Sequence, residues 1–370
     1  MVSTMWQNGL QRLLCRVDVT GKNIIDGFPH YGDPATGQWT TSPGGDWTGG
    51  FWNGLCWLAA HRTGEAHYRR WAQQWTERLR PRAHSDTIFR GFLFYYGALV
   101  GSVLLGDPLA REVALQGVQG LAASFNSTAG VLPLGTEAEE ASDVGHGESS
   151  IDGVQGAALL VWAAQESGDS SLREIAVRHA RRHIEFCIRE DGSVCQSASF
   201  DPQTGHMLRR YTHKGGRDDS TWTRAQAWAM VGYAVMHLWT QEREFLEVAT
   251  HTADWWLAHA PTDRVAFWDF DAPAGPDTPR DTSGTAIAAA ALLKLATLAP
   301  EKTQRVRYQA AAEATVTELV ERYLDDRGIL SHGCYNQRIN LATQSELIWG
   351  SYYLFEAPHV LSGALPSAQV

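Results

Sequence analysis

The chain has 370 residues, of which 44% are hydrophobic and 19% charged, and it carries a net charge of −10 at pH 7. That is an ordinary globular composition, and the length suits one domain if the architecture is a closed barrel or toroid. The acidic balance argues against a general nucleic-acid or membrane-surface binder, although a local group of Arg, Lys and His can still reverse the sign within one cleft.

The first stretch, MVSTMWQNGLQRLLCRV, has no apolar signal core, and no run in the chain is long enough to span a membrane. The cysteines, Cys15, Cys56, Cys187, Cys195 and Cys334, are odd in number and match no zinc or redox spacing. Free thiols in a reducing compartment are therefore expected, and with them a cytoplasmic protein. The sequence leaves room for a homo-oligomer without specifying one.

Helical periodicity recurs throughout, and strand-like alternation is scarce. The pattern predicts helices near 5–17, 50–63, 66–79, 89–104, 108–124, 152–167, 169–187, 220–240, 242–259, 283–298, 302–324 and 344–357, joined mostly by Gly/Asp/Pro-rich loops. Those beginning near 50, 89, 152, 220, 283 and 344 are rich in small residues and tryptophan. Segments such as GVQGAALLVWAA and SGTAIAAAALLKLA are apolar nearly all round, so they belong inside. Segments such as SLREIAVRHARRHIEFCI carry one charged face and belong outside. The inner type recurs about every 60 residues. Six buried helices alternating with six amphipathic ones is the pattern of an all-α (α/α)6 barrel, here filling 1–370 as one domain. The loops leading into the inner helices then converge at one mouth.

Fifteen tryptophans are too many for core filling alone, and flat sugar faces stack on indole rings, so both uses are expected. In GDWTGGFWNGLCW, Trp47 stands in a glycine loop where a sugar can approach closely, whereas Trp52 and Trp57 read as core. In HSDTIFRGF, Asp86 precedes an inner helix. In ESSIDGVQGAALL, Asp152 stands where a loop becomes an inner helix. Each acid can be only a helix cap. A carboxyl desolvated among small apolar residues is also suited to general acid catalysis, and a second carboxylate nearby would split acid and base roles. In HKGGRDDSTWTRAQAW, Asp218, Asp219 or Ser220 can cap the helix that follows. Trp222, Arg224 and Trp228 lie around its first turns. An arginine in a first turn opposes the helix dipole; either a nearby acid or an anionic ligand offsets it, and the preceding His213 and Lys214 tilt toward the ligand. No calcium loop, HExxH, strand-linked GxGxxG or GxSxG is present, so no metal and no cofactor is expected.

WTGGFWNGLCWLAAHRTGE, SSIDGVQGAALLVWAA, DGSVCQSASFDPQTG, THKGGRDDSTWTRAQAWAMVGYA, RDTSGTAIAAAALLKLA, GILSHGCYN and ELIWGSYYLFEA occur in that order. Together they resemble the unsaturated glucuronyl hydrolases, glycoside hydrolase family 88, over nearly the whole chain. The resemblance implies an (α/α)6 barrel acting without a metal on oligosaccharides left by polysaccharide lyases, whose non-reducing uronic acid has a C4=C5 double bond. Acid-catalysed hydration of that bond releases the unsaturated sugar. The resemblance makes Asp152 the general acid and Asp86 the second carboxylate. It puts Trp47 on the sugar ring, His213, Trp222, Arg224 and Trp228 around the uronate, and Gln196 at the leaving sugar.

Three positions depart from the family pattern. Asp86 lies several residues before Gly91 where members have His-Asp close to Gly-Phe. Gln196 stands where a histidine is frequent, and Ser351 where an acid commonly follows Trp-Gly. The competing readings are an unsaturated rhamnogalacturonyl hydrolase with the same chemistry, an (α/α)6 sugar epimerase, and a carbohydrate-binding protein without catalysis.

Overall fold

The computed structural model describes residues 2–24, 26–139 and 145–369. Twelve long helices follow one another. They are α1 (Val2–Asn23), α2 (Gly49–Thr63), α3 (Ala66–Leu79), α4, α5 (Pro108–Ala123), α6 (Gly153–Ser167), α7 (Ser170–Cys187), α8 (Thr223–Thr240), α9 (Arg243–His259), α10 (Thr282–Leu298), α11 (Lys302–Glu318) and α12 (Ile348–Leu361). Helix α4 consists of Arg90–Phe94 and Val100–Leu105, joined by a π-helical turn at Tyr95–Leu99.

The even-numbered helices form the inner ring. α2 packs on α4, α4 on α6, α6 on α8, α8 on α10, α10 on α12, and α12 closes back on α2. Their sequences explain the position. Thr282–Leu295 of α10 and Ile348–His359 of α12 are buried without interruption, which only an apolar all-round helix tolerates. The outer α3 instead buries Tyr68, Ala72, Trp75, Thr76 and Leu79, the single stripe of an amphipathic helix. Small residues let inner helices touch through their backbones. A Cβ on Gly91 of α4 would lie 2.6 Å from the Cα of Gly156 of α6. The expected (α/α)6 ring is thus present.

Two features were not expected. First, two three-stranded antiparallel sheets stand among the loops. One has the order β2 (Trp39–Ser42), β1 (Phe28–Gly32), β6 (Glu346–Leu347); the other has the order β3 (Glu148–Ser150), β4 (Ser197–Phe200), β5 (Met207–Tyr211). Second, α8 begins at Thr223, and Asp218, Asp219 and Ser220 do not cap it. The Asp218 carboxylate accepts from Thr212 N at 3.2 Å and the Ser220 hydroxyl donates to Asp269 at 2.7 Å, so these side chains tie loops together instead. All five cysteines are free thiols, four of them buried. Among the described residues, no helix is long and apolar enough to cross a membrane.

Candidate active site

The first sheet and the loops before α2 and α4 enclose a cavity of about 690 Å³. Its walls include His30, Tyr31, Asp46, Trp47, Arg82, Phe89, Glu137, Glu139 and Tyr335. Trp47 and Tyr335 lie nearly parallel, with ring planes 22° apart, and Tyr31 stacks on Tyr335 at 24°. Flat, aligned rings with polar tips suit a sugar face. Asp46 holds the left-handed conformation, with φ of 41°, the kind of backbone strain that collects at working sites. His30 bonds through Nδ1 to Thr48 Oγ1 at 2.8 Å. Burial lowers its pKa, and the attraction of Asp46 and Glu139 does not restore it, so it is neutral near pH 7.

Asp152 is 8% exposed, at the N-cap position of α6. Its backbone is already helical, with φ −56° and ψ −32°, and its side chain does not cap the helix. Strand β3 delivers it there. Ile151 N donates to the Gln196 carbonyl at 2.9 Å, and Ser150 Oγ donates to the same oxygen at 3.3 Å. The amide oxygen of Gln196 accepts from Thr212 Oγ1, His213 N and Lys214 N, at 2.7, 2.9 and 3.1 Å. Gln196 is therefore a joint between the Asp152 loop and the His213–Lys214 loop. His213 Nε2 lies 2.6 Å from Glu148 Oε1, a carboxylate with no exposed surface. Lys214 continues to the cavity, where its ammonium lies 3.2 Å from Glu139.

Asp86 sits at the opposite rim, between the cavity residues Ser85 and Thr87. Its carboxylate accepts from Thr136 N at 3.0 Å and Thr136 Oγ1 at 2.7 Å, and His146 Nε2 is 3.1 Å away. Burial works to raise its pKa, but the Thr136 bonds and His146 outweigh that and hold it below the ordinary value. It is a carboxylate that stays ionised and fastens a loop.

The three residues expected around the uronate on α8 and at its head, Arg224, Trp228 and Trp222, are buried. Arg224 has no exposed surface. It pairs with the equally buried Asp281 at 2.6 Å and donates to the Cys334 and Tyr335 carbonyls, so an acid, not a ligand, offsets its place in the first turn. Trp228 is 1% exposed and packs on Phe92, with ring centroids 4.7 Å apart. Trp222 is buried under the Arg224 guanidinium at 4.3 Å. The indole that does face the cavity is Trp47. Asp152, His213 and Gln196 are not among the described residues lining the cavity; Gln196 meets His213 and Lys214 through their backbone N–H groups, and Lys214 reaches the cavity residue Glu139. The sequence reading missed His30, Glu139, Glu148 and Tyr335. Only Glu148 had a visible signal, an acid four residues before Asp152.

No protein-family model matches the chain. It is 34% identical to an unsaturated glucuronyl hydrolase of Bacillus sp. (strain GL1) over 367 residues, which covers 95% of this chain and 96% of that protein. It is 29% identical to an unsaturated chondroitin disaccharide hydrolase of Streptococcus pyogenes serotype M1, over 88% of this chain and 84% of the other. A solved unsaturated glucuronyl hydrolase from Bacillus sp. GL1, described as responsible for the degradation of glycosaminoglycan, superposes with a TM-score of 0.91 at 32% identity, over 96% of each chain. With the inner ring, the aromatic cavity and similarity running the length of both chains, this chain belongs to the unsaturated glucuronyl hydrolases, glycoside hydrolases of family 88.

Proposed function

We propose that the chain releases the 4,5-unsaturated uronic acid from the non-reducing end of lyase-made oligosaccharides by hydrating the C4=C5 double bond. The observation that carries this reading is Asp152: a buried carboxyl at the head of an inner helix that it does not cap. Asp152 gives its proton to C4, and the ring oxygen shares the positive charge that develops at C5. Water then adds at C5 and returns a proton to the Asp152 carboxylate. The C5 hydroxyl of the product makes a hemiketal, which opens and expels the remaining sugar chain from C1. General acid work of this kind is worth about 10²–10⁴-fold in rate.

Trp47 supplies the stacking face beside Tyr335. The Glu148–His213 pair and Gln196 keep the loops carrying Asp152 and Lys214 in register. Asp86 holds Thr136 and His146 at the rim. We read 1–370 as one catalytic domain, because the ring closes through all of its inner helices. A cytoplasmic location fits the five free thiols.

The conjugated enol acid of a lyase-made disaccharide absorbs in the ultraviolet. A hydratase destroys that absorbance, while an epimerase or a binding protein leaves it. Wild-type enzyme is expected to bleach it, and Asp152→Asn to abolish bleaching with its melting temperature within a few degrees of wild type. Wild-type turnover in Asp152→Asn would refute the mechanism.

A further inference from the structure

Glu139 and Lys214 meet at the cavity in an arrangement that the hydration chemistry does not use. One oxygen, Glu139 Oε2, receives donors from three separate parts of the chain. Trp47 Nε1 lies at 3.2 Å, the Lys214 ammonium at 3.2 Å, and the Tyr335 hydroxyl makes a short bond. The ammonium also lies 4.5 Å from the Tyr335 ring centroid and 5.6 Å from that of Trp47, so two π faces flank it. A cation and two polar hydrogens converging on one carboxylate oxygen is carboxylate-recognition geometry, built from charge-assisted bonds. The two partners differ in setting. The Lys214 side chain is 5% exposed and the Glu139 side chain 38%, so the receptor is built in and its occupant reaches in from the rim. Burial works to raise the Glu139 pKa, but Lys214 and the Tyr335 bond outweigh it and keep the group anionic.

We infer that Glu139 is a self-ligand: it stands where the carboxylate of the incoming uronate goes, and binding transfers Trp47, Tyr335 and Lys214 from Glu139 to the sugar acid. This rests on the proposed uronate substrate. The device selects substrates, because a neutral sugar cannot replace the displaced charge pair whereas a uronate can. It also lowers apparent affinity by the fraction of molecules in which Glu139 is engaged.

Calorimetric titration with D-glucuronate and with D-glucose tests this. Glu139→Gln removes one negative charge beside Lys214 while keeping the side-chain shape. It is expected to bind glucuronate roughly tenfold more tightly than wild type, with glucose binding unchanged. Lys214→Met is expected to lose the preference for glucuronate over glucose. If Lys214→Met does not fold, Glu139→Gln still decides. Equal or weaker glucuronate affinity in Glu139→Gln, or an equal gain for glucose, overturns the self-ligand. The ultraviolet assay keeps the two ideas apart: wild type that leaves the enol acid intact overturns the hydrolase reading, whatever Glu139→Gln does.

Discussion

The Arg224–Asp281 pair gives the sharpest contrast between a ligand contact and a structural one. Both side chains are fully buried and 2.6 Å apart. Asp281 also caps α10, accepting from Ser283 N at 3.1 Å and Gly284 N at 3.3 Å. Arg224 further donates to the carbonyls of Cys334 and Tyr335, which fixes the segment that presents Tyr335 to the cavity. Arg224→Met keeps an apolar stem of similar length but leaves Asp281 as an uncompensated buried charge, at a cost of about 3–5 kcal/mol. With an unfolding entropy of about 2.1 cal/mol/K per residue over 370 residues, that lowers Tm by roughly 4–6 °C. The double variant Arg224→Met/Asp281→Asn removes the stranded charge and is expected to recover part of the loss. Thermal unfolding and steady-state kinetics on an unsaturated disaccharide read the two effects separately. A wild-type Tm with a raised KM would refute the structural assignment and return Arg224 to the uronate.

Two pH dependences follow from groups whose shifts have opposite origins. Asp86 has a folded pKa below its ordinary 3.8, so its stabilisation is complete above pH 3.8 and is lost as pH falls through the lower folded value. The gap in urea midpoint between wild type and Asp86→Asn should therefore narrow from pH 6 to pH 3.5; a constant gap would mean the Thr136 and His146 contacts do not favour the ionised form. His183 is buried between Ser149 Oγ, at 2.9 Å from Nε2, and the His179 carbonyl, at 2.8 Å from Nδ1. Burial pushes its pKa from 6.5 down to about 4. The unfolded chain then binds the extra proton first, so stability declines as pH falls from 6.5 toward 4 and levels off below. His183→Gln should flatten that decline in urea titrations, and an unchanged slope would show that His183 is not the group responsible.

How much of this was legible in the sequence depends on how local the cause is. The inner helices were, because a segment such as SGTAIAAAALLKLA has no polar face to turn outward, and α10 is buried along Thr282–Leu295. The sheets were not. Strand β6 is two residues long and pairs with β1 more than 300 positions earlier in the chain, and its pairing is set by the ring rather than by its own residues. The cavity mixes both kinds. Trp47 sits in a glycine loop that advertised it. Tyr335, Glu139 and His30 come from loops and a short strand with no periodicity to mark them. Arg224 was read toward a ligand because its partner lies 57 residues further on. The DDS run looked like a cap because Asp and Ser usually are caps, yet its side chains bind Thr212 and Asp269 across the mouth.

Helix caps also show what separates Asp152 from its neighbours in kind. Asp107, Asp169 and Asp281 head α5, α7 and α10, and each accepts a bond from a backbone N–H of the first turn. All three have ψ between 86° and 119°, outside the helical region, which swings the carboxylate over the helix end. Asp152 heads α6 with ψ of −32°, and its carboxylate makes no capping bond to those N–H groups. The cause lies one residue earlier, where the Gln196 carbonyl holds Ser150 and Ile151 in the edge of a sheet and leads the chain straight into the helix. Forgoing a cap costs about 1 kcal/mol, and Ser149, which is itself bound to the Leu132 carbonyl and to His183, does not replace it. Asp281, at the head of another inner helix of the same ring, spends its carboxylate on Ser283, Gly284 and Arg224. The same residue type at the heads of two inner helices of one ring thus has two fates: Asp281 caps α10, whereas Asp152, 8% exposed, heads α6 without capping it.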